Sequence, residues 1–302
     1  MPRLVLGSRG SALALAQVRL VHDALRAAHP HLEIEVKTIT TSGDRRQEPG
    51  AGQGSDAGLK GLFTKEIQEA LLDGSIHAAV HSLKDLPGIT PSSLGLAAVL
   101  PRADPSDLLI SRAFTDLAGL PPGARIGTGS VRRRRQLLWM RPGLEIVGLR
   151  GNVPTRLEKL AALSLDAIVL ARAGLDRLGL SLSGGPFHAT PLDILPAIGQ
   201  GVIAIETRLD DSPTRAILSA IDHRPTHTCI RVERELLRLL AGDCRLPVAA
   251  LATLDASLLT ASAILFPESE ALPPLQARAT APASAPEALA RLLFTQLRPQ
   301  ST

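Results

Sequence analysis

RLVLGSRGSALALAQVRLVHDALRAAHPHLEIEVKTIT, residues Arg3 to Thr40, decides the fold. RLVLGS reads as a short strand ending in a Gly-Ser turn. The residues after it place Leu13, Val18, Val21 and Leu25 on one helical stripe, closed by Pro30. LEIEVKTIT then alternates as a strand does. Strand, helix and strand in that order make a βαβ unit, so the chain reads as α/β with parallel strands.

The pattern returns in ARIGTGSVRRRRQLLWMRPGLEIVGL, Ala124 to Leu149. Again a strand meets a Gly-Ser turn with an arginine, then a helix, then a basic residue, Pro, one residue and Leu-Glu-Ile. One topology is used twice. Between the copies, TSGDRRQEPGAGQGSDAGLKG is glycine-rich and aperiodic, as lids over sites are; residues 43–61 are its span. LFTKEIQEALLDG reads as a capped amphipathic helix, SIHAAVHS as a strand, and LKDLP leaves that strand's C-terminal end. NVPTRLEKLAAL is a helix, LDAIVLARAGLDRL a strand running into a helix, and LPAIGQGVIAIETR a strand passing back to the first unit. Beyond it the character changes. TCIRVERELLRLLAGD is a helix, VAALATLDASLLTASAIL two strands around a turn, and APEALARLLFTQL a closing helix. The expected organisation is a first lobe of residues 1–99 and 199–218, a second of 100–198, and a small α/β domain of 222–302. Two lobes with crossing strands place a ligand cleft between them.

The chain has 302 residues, 45% hydrophobic and 21% charged, so it builds a core and is not a disordered chain. Its formal net charge is +4, short of what coating DNA demands. Only five of its 33 cationic side chains are lysine (Lys37, Lys60, Lys65, Lys84 and Lys159). Arginine's planar fork pairs bidentately with carboxylate or phosphate, although a GC-rich genome enriches arginine too. Five Phe, one Trp and no Tyr leave little for nucleobases to stack on. Two cysteines, Cys229 and Cys244, form no metal or disulfide pattern. Gly-Ser-Arg-Gly-Ser interrupts the first apolar residues, which argues against a signal peptide. No apolar run is long enough for a membrane helix. The expectation is a cytoplasmic protein without membrane or nucleic-acid partners.

Both Gly-Ser turns sit where a strand gives way to a helix, at the free N–H groups and positive dipole end that attract anions. Ser8, Arg9 and Ser11 mark the first; Thr128, Ser130, Arg132 and Arg133 mark the second. Plain N-capping by Ser and Thr is the competing reading for each turn taken alone. Arg150 and Arg156 flank a third such turn. Neighbours on a helix lie about 100° apart, so Arg132 to Arg135 cannot all face one way. Arg132 and Arg133, nearest the helix start, are expected at the site; Arg134 and Arg135 are expected as surface charges. Asp85 lies just past a strand's carboxyl end, where open α/β sheets bind ligands. Its carboxylate either pairs with arginine or stabilises a developing cation and moves a proton. His81 and Cys229 read as structural. Cys244, in the polar-flanked loop AGDCRLP, is an attachment point or an incidental surface thiol.

The chain resembles the porphobilinogen deaminase (hydroxymethylbilane synthase) family. GSRGSALALAQ, GLFTKEIQEALLDGSIHAAVHSLKDLP, IGTGSVRRRRQL, LRGNVPTRLEKL, DAIVLARAGLDRLG, LPAIGQG, VERELLRLL and GDCRLPVAA carry the resemblance, in order, over about residues 3–251. It implies a monomeric transferase of tetrapyrrole (heme-type) biosynthesis that condenses four porphobilinogen molecules head to tail with loss of ammonia, giving hydroxymethylbilane. It implies two periplasmic-binding-protein-like lobes with crossing strands plus a small α/β C-terminal domain. It implies a dipyrromethane cofactor bound covalently to Cys244, with Lys84, Ser130, Arg132, Arg133 and Arg156 as further cofactor-binding residues. Substrate and the growing polypyrrole chain would meet Arg9, Ser11, Gln17, Lys60, Phe63, Thr128, Arg150 and Gln200. Asp85 would be the essential aspartate, buried beside a pyrrole N–H and stabilising the methylene cation left by ammonia. No metal is implied. Every porphobilinogen ring brings an acetate and a propionate, which makes the growing chain the polyanion that the arginines await.

Four positions depart from the usual family pattern: Leu59 and Gly129 replace a glycine and a serine, and Asp243 and Arg245 flank Cys244 where glycine and glutamine are usual. A non-catalytic two-lobed binding protein for a small dicarboxylate is the alternative reading. It explains the twin turns and the cleft but leaves Asp85 and Cys244 without a task.

Overall fold

The computed structural model describes residues 3–45, 64–182, 185–240 and 247–298. The first βαβ unit forms as read: β1 (Arg3–Ser8), α1 (Ala12–Ala28) and β2 (Glu33–Thr38), with β1 and β2 parallel. A four-residue α2 (Ser42–Arg45) follows. Next come α3 (Lys65–Leu72), β3 (Ala78–Ser82), a 3-10 turn over Leu83–Asp85, and β4 (Leu94–Val99). Thr64 occupies the N-cap position of α3 but makes no side-chain cap bond, so that helix is not capped as expected.

The second copy is β6 (Arg125–Gly127), α4 (Val131–Met140) and β7 (Glu145–Val147), entered through β5 (Asp107–Ser111). It continues as α5 (Val153–Ala162), β8 (Ala167–Ala171), α6 (Arg172–Arg177) and β9 (His188–Pro191). The returning strand, β10, is Ile203–Arg208, and residues 198–201 before it are a turn rather than strand. α7 (Ser212–Ser219) and α8 (Arg224–Leu240) lead to β11 (Val248–Asp255), β12 (Leu258–Leu265), β13 (Leu275–Pro282) and α9 (Pro286–Gln296).

The two five-stranded sheets have matching orders, β2-β1-β3-β10-β4 and β7-β6-β8-β5-β9. In each, one strand runs antiparallel to both its neighbours: β10, which returns after the whole second sheet, between β3 and β4, and β5, by which the chain enters the second sheet, between β8 and β9. These are the crossing strands of the α/β fold that the resemblance implied. The compact units are Met1–Ala103 with Val202–Arg231, and Asp104–Gly201 with Val232–Thr302.

The central strands of the two five-stranded sheets are buried on both faces, which is why they are apolar at successive positions, while the edge strand β2 alternates and is largely exposed. In the first, Leu4 and Leu6 of β1 pack with Val18, Val21 and Leu25 of α1. Val5 points the other way, to Ile67 and Leu71 of α3. In the second, Ile126 packs with Leu137 of α4, while Ile168 and Leu170 pack with Leu160 of α5. Each such Leu or Ile contributes about 1.5–3 kcal/mol by leaving water. The third sheet, β11-β12-β13, is antiparallel and carries α9 on β12 and β13. Its small core joins Ala249, Ile264 and Phe266 to Leu195.

The strand-to-helix turns need glycine for space. A Cβ at Gly7 would overlap Ile76, and one at Gly127 would lie 2.8 Å from Leu165, 3.0 Å from Ile168 and 3.1 Å from Leu149. All three neighbours of Gly127 belong to the core. Gly127→Ala is therefore expected to destabilise the protein by about 1–3 kcal/mol, as overpacking does. A thermal unfolding midpoint equal to that of the parent chain would show that the core yields without cost.

Candidate active site

In the first unit, parallel pairing of β1 with β3 brings their C-terminal ends to one sheet edge. Ser11 caps α1, accepting a bond from the Ala14 amide at 3.3 Å. Arg9 is not open: its guanidinium donates to Asp44 of α2, with Nε 3.1 Å from Oδ1. Asp44 also accepts from the Thr41 hydroxyl at 2.7 Å. Burial pushes the Asp44 carboxyl up, but its bonds from Arg9 and Thr41 outweigh that and lower it. Gln17 is buried inside α1's packed face and bonds the Ser82 hydroxyl at 2.7 Å, just ahead of the turn that carries Lys84 and Asp85. Gln17 thus reaches this edge through Ser82. Asp85 is exposed, which corrects the expectation of a buried carboxylate. Within the turn Leu83 packs inward, Lys84 is half-buried and Asp85 faces outward. Among the described residues Asp85 makes no hydrogen bond or ion pair.

His81 is structural, as read. It lies buried in β3 with Nε2 3.3 Å from Glu206 of the crossing strand, and Glu206 also accepts from Gln68 at 3.1 and 3.2 Å.

The second unit centres on Asp107, the first residue of β5 and completely buried. Arg132 donates to its Oδ2 at 2.6 Å, Arg133 to its Oδ1 at 2.7 Å, and the Gln200 amide to Oδ1 at 2.8 Å. Arg132 also reaches Leu195 O at 2.6 Å, and Arg133 reaches Val169 O at 3.0 Å. Burial pushes the Asp107 carboxyl up. The Arg133 and Arg132 guanidiniums together overrule it and hold the carboxyl far below the usual carboxylate range. Two cations against one anion leave an excess positive charge here. The Nε of Arg133 is buried with no hydrogen-bond partner among the described residues.

Ser130 caps α4 by accepting from the Arg133 amide at 3.4 Å, and the buried Thr128 hydroxyl accepts from the Ser130 amide at 3.2 Å. A Cβ at Gly129 would stand 3.0 Å from Leu149 O, so the serine usual there requires that carbonyl to give way. Arg150 and Arg156 stand apart from the Asp107 cluster, on the turn into α5. Arg150 is exposed, and Arg156 bonds Gly151 O at 2.7 Å.

Arg134 faces outward and pairs with Glu270 at 2.8 Å. Arg135, expected at the surface, is buried: it donates to Glu268 O and Ser269 O and lies 5.3 Å over the Phe266 ring. That ring and the loop after β12 cover it, a tertiary contact that helix periodicity does not reveal.

The sequence reading missed Asp107, Glu233 and Arg177. Glu233, buried in α8, accepts from the Gly199 amide at 2.8 Å and from the Ala252 amide at 2.9 Å. Arg177 donates to Gly201 O at 2.6 Å. Together they fix the turn that presents Gln200, whose positive φ at Gly199 (73°) and Gly201 (84°) only glycine adopts without strain. Lys60, Phe63, Cys244 and most of the 43–61 stretch lie outside the described residues, as do Leu59, Asp243 and Arg245.

What this arrangement offers is a pair of anion-attracting turns, one exposed carboxylate and an excess of buried guanidinium charge. The family model for the porphobilinogen deaminase dipyromethane cofactor binding domain matches residues 4–216. A porphobilinogen deaminase of Syntrophomonas wolfei is 48% identical over 84% of this chain and 82% of its own. Those of Desulforudis audaxviator and Chromobacterium violaceum are 45% and 41% identical, over 97% and 98% of this chain and 94% of each of theirs. A periplasmic VFT2 domain of Bordetella pertussis BvgS overlaps 73% of this chain and 86% of its own at 14% identity, with a TM-score of 0.43. The chain belongs to the porphobilinogen deaminase family.

Proposed function

We propose that this chain is a hydroxymethylbilane synthase. It condenses four porphobilinogen molecules head to tail, releases ammonia at each step and yields linear hydroxymethylbilane, carrying a dipyrromethane cofactor on Cys244. The observation that carries the reading is the buried pair Arg132 and Arg133 on the single carboxylate of Asp107. Such a site favours an added carboxylate. Dipyrromethane brings acetates and propionates, and the surplus cation and the Arg133 Nε, unpartnered among the described residues, fit them.

In this reading Arg132, Arg133, Ser130, Arg156 and Lys84 hold the cofactor's carboxylates. Arg9, Ser11, Thr128, Arg150 and Gln200 receive those of the substrate and growing chain, and Gln17 supports them through Ser82. Lys60 belongs to the lid over residues 43–61, which excludes water during the reaction, and Phe63 places a ring near the cofactor. When bound, dipyrromethane supplies a terminal pyrrole α-carbon as nucleophile, so no serine or histidine nucleophile is required. Asp85 does two things. Its uncommitted carboxylate stabilises the cationic methylene left when the carbon–nitrogen bond of porphobilinogen breaks and ammonia departs. It then accepts the proton released as the new carbon–carbon bond forms and the ring recovers its aromaticity.

The proposed organisation is a first lobe of residues 1–99 and 199–218 with Asp85 and the lid, a second of 100–198 with the arginines, and a third domain of 222–302 with the cysteine loop. The protein is proposed to be a cytoplasmic monomer whose partners are porphobilinogen and the polypyrrole chain, without membrane or nucleic acid. No described helix is long and apolar enough to cross a membrane, and no described group of His, Cys, Asp and Glu gathers as metal ligands do.

Intact mass tests the reading. The purified protein is expected to exceed its sequence mass by two linked porphobilinogen units, and Cys244→Ser is expected to lack that excess. A wild-type protein that gains no mass even with added porphobilinogen is a binding protein on the enzyme's fold. Asp85→Ala should keep the excess mass while turnover falls by about 100-fold or more; near-parental turnover would remove Asp85 from the chemistry. Arg132→Leu should lower the cofactor-loaded fraction or stall early condensation. Full loading with full turnover would take Arg132 out of the binding set.

A further inference from the structure

Asp107 stands where a ligand carboxylate would stand, between two guanidiniums, yet it belongs to the chain. Arg132 and Arg133 are only 7% and 6% exposed. Two cations this deep repel each other and lose their hydration, and burial and the neighbouring Arg133 both lower the pKa of Arg132. Their other acceptors are the carbonyls of Leu195 and Val169, which carry partial charge only. Among the described residues Asp107 is the full negative charge that ion-pairs with them. Half of the pair's charge thus stays uncompensated, and one buried donor, Arg133 Nε, stays unused.

We infer that Asp107 is a resident stand-in for a cofactor carboxylate, holding Arg132, Arg133 and Gln200 in place before the dipyrromethane arrives. The inference rests on the proposed function. It makes Asp107 a positioning residue, acting through the three side chains that it orders. The cofactor's carboxylates then complete the neutralisation that Asp107 begins. One consequence separates this role from plain packing. Remove the charge of Asp107, and the fold comes to depend on the cofactor.

Wild type, Asp107→Asn and Asp107→Glu are each produced in a host that makes porphobilinogen and in one that cannot. They are compared by intact mass and thermal unfolding. Wild type should fold in both hosts. Asp107→Asn keeps the shape but puts an amide donor against a guanidinium. Without cofactor it should unfold at least about 5 °C below the cofactor-free wild type, or fail to accumulate. Loaded with cofactor it should recover half of that deficit or more. Asp107→Glu, which keeps the charge, should narrow the gap in the cofactor-free form. The inference is overturned by an Asp107→Asn deficit of equal size in both hosts, by insolubility in both, or by no deficit in either. Failure of the underlying function looks different: wild type itself then gains no mass in the porphobilinogen-producing host.

Discussion

An arginine taken out of water costs several kcal/mol unless an anion meets it. Here two adjacent ones are taken out together, and Asp107 meets both. That requirement organises the second unit. Asp107 opens β5, the strand by which the chain enters the second sheet, and Gln200 sits in the turn just before the chain leaves it. Arg132 and Arg133 start α4, on the repeated Gly-Ser turn. Entry strand, exit turn and helix start are therefore tied to two oxygen atoms. A shift in any one of them strands a buried charge, which costs far more than the pairing gains. The turn itself is held independently, by Glu233 from α8 and by Arg177 from α6.

The first unit repeats the turn and changes the electrostatics. Arg9 also has a carboxylate partner, but both side chains keep a fifth to a quarter of their exposure, at 21% and 24%. Water and salt compete with such a pair, so it is weak. By that measure the Arg9–Asp44 pair is the more easily exchanged, and Asp107 is locked between its two guanidiniums. The two copies of one topology thus provide a yielding arginine and a fixed pair. Among the described residues Asp85 differs from both aspartates, being neither neutralised by arginine nor buried. Of the three, it has a carboxylate free to meet a new positive charge.

Where sequence and structure agree, local periodicity or a turn carried the information. The β1-α1-β2 unit was legible from its apolar spacing, and its repetition around α4 disclosed the second sheet. Ser11 and Ser130 cap their helices, the plain reading of the two Gly-Ser turns, and Asn152, which the sequence did not single out, caps α5 in the same way. The missed features depend on residues far apart in sequence. Asp107 lies in DPSDLLIS with nothing nearby to mark it, and its partners come 25, 26 and 93 residues later. Glu233 looks like one more charge on an amphipathic helix until Gly199 and Ala252 arrive. β13 escaped because LQARATAP is rich in alanine, a poor strand former that fits only because β12 and α9 close over it. Thr64 has the chemistry of a cap and the wrong backbone, with ψ at −23°.

The four consecutive arginines show why counting charge misleads. Read as a run, they ask for a polyanion. The helix separates them by about 100° a step, so each meets a different neighbour. Arg132 and Arg133 turn toward Asp107, Arg134 toward Glu270, and Arg135 toward the carbonyls of Glu268 and Ser269. Half of the run thus holds Asp107 and half fastens the loop after β12. Gln136 completes the link. It bonds both the amide and the carbonyl of Leu195, the carbonyl that Arg132 also holds, and the Leu195 side chain packs with Ala249, Ile264 and Phe266 of the third sheet. α4 therefore cannot move without pulling on Leu195, and Leu195 cannot move without disturbing the core that β11 enters. β11 is the strand that follows Cys244. The same ten-residue helix thus sets both the pair of guanidiniums on Asp107 and the packing of Leu195 against the third sheet.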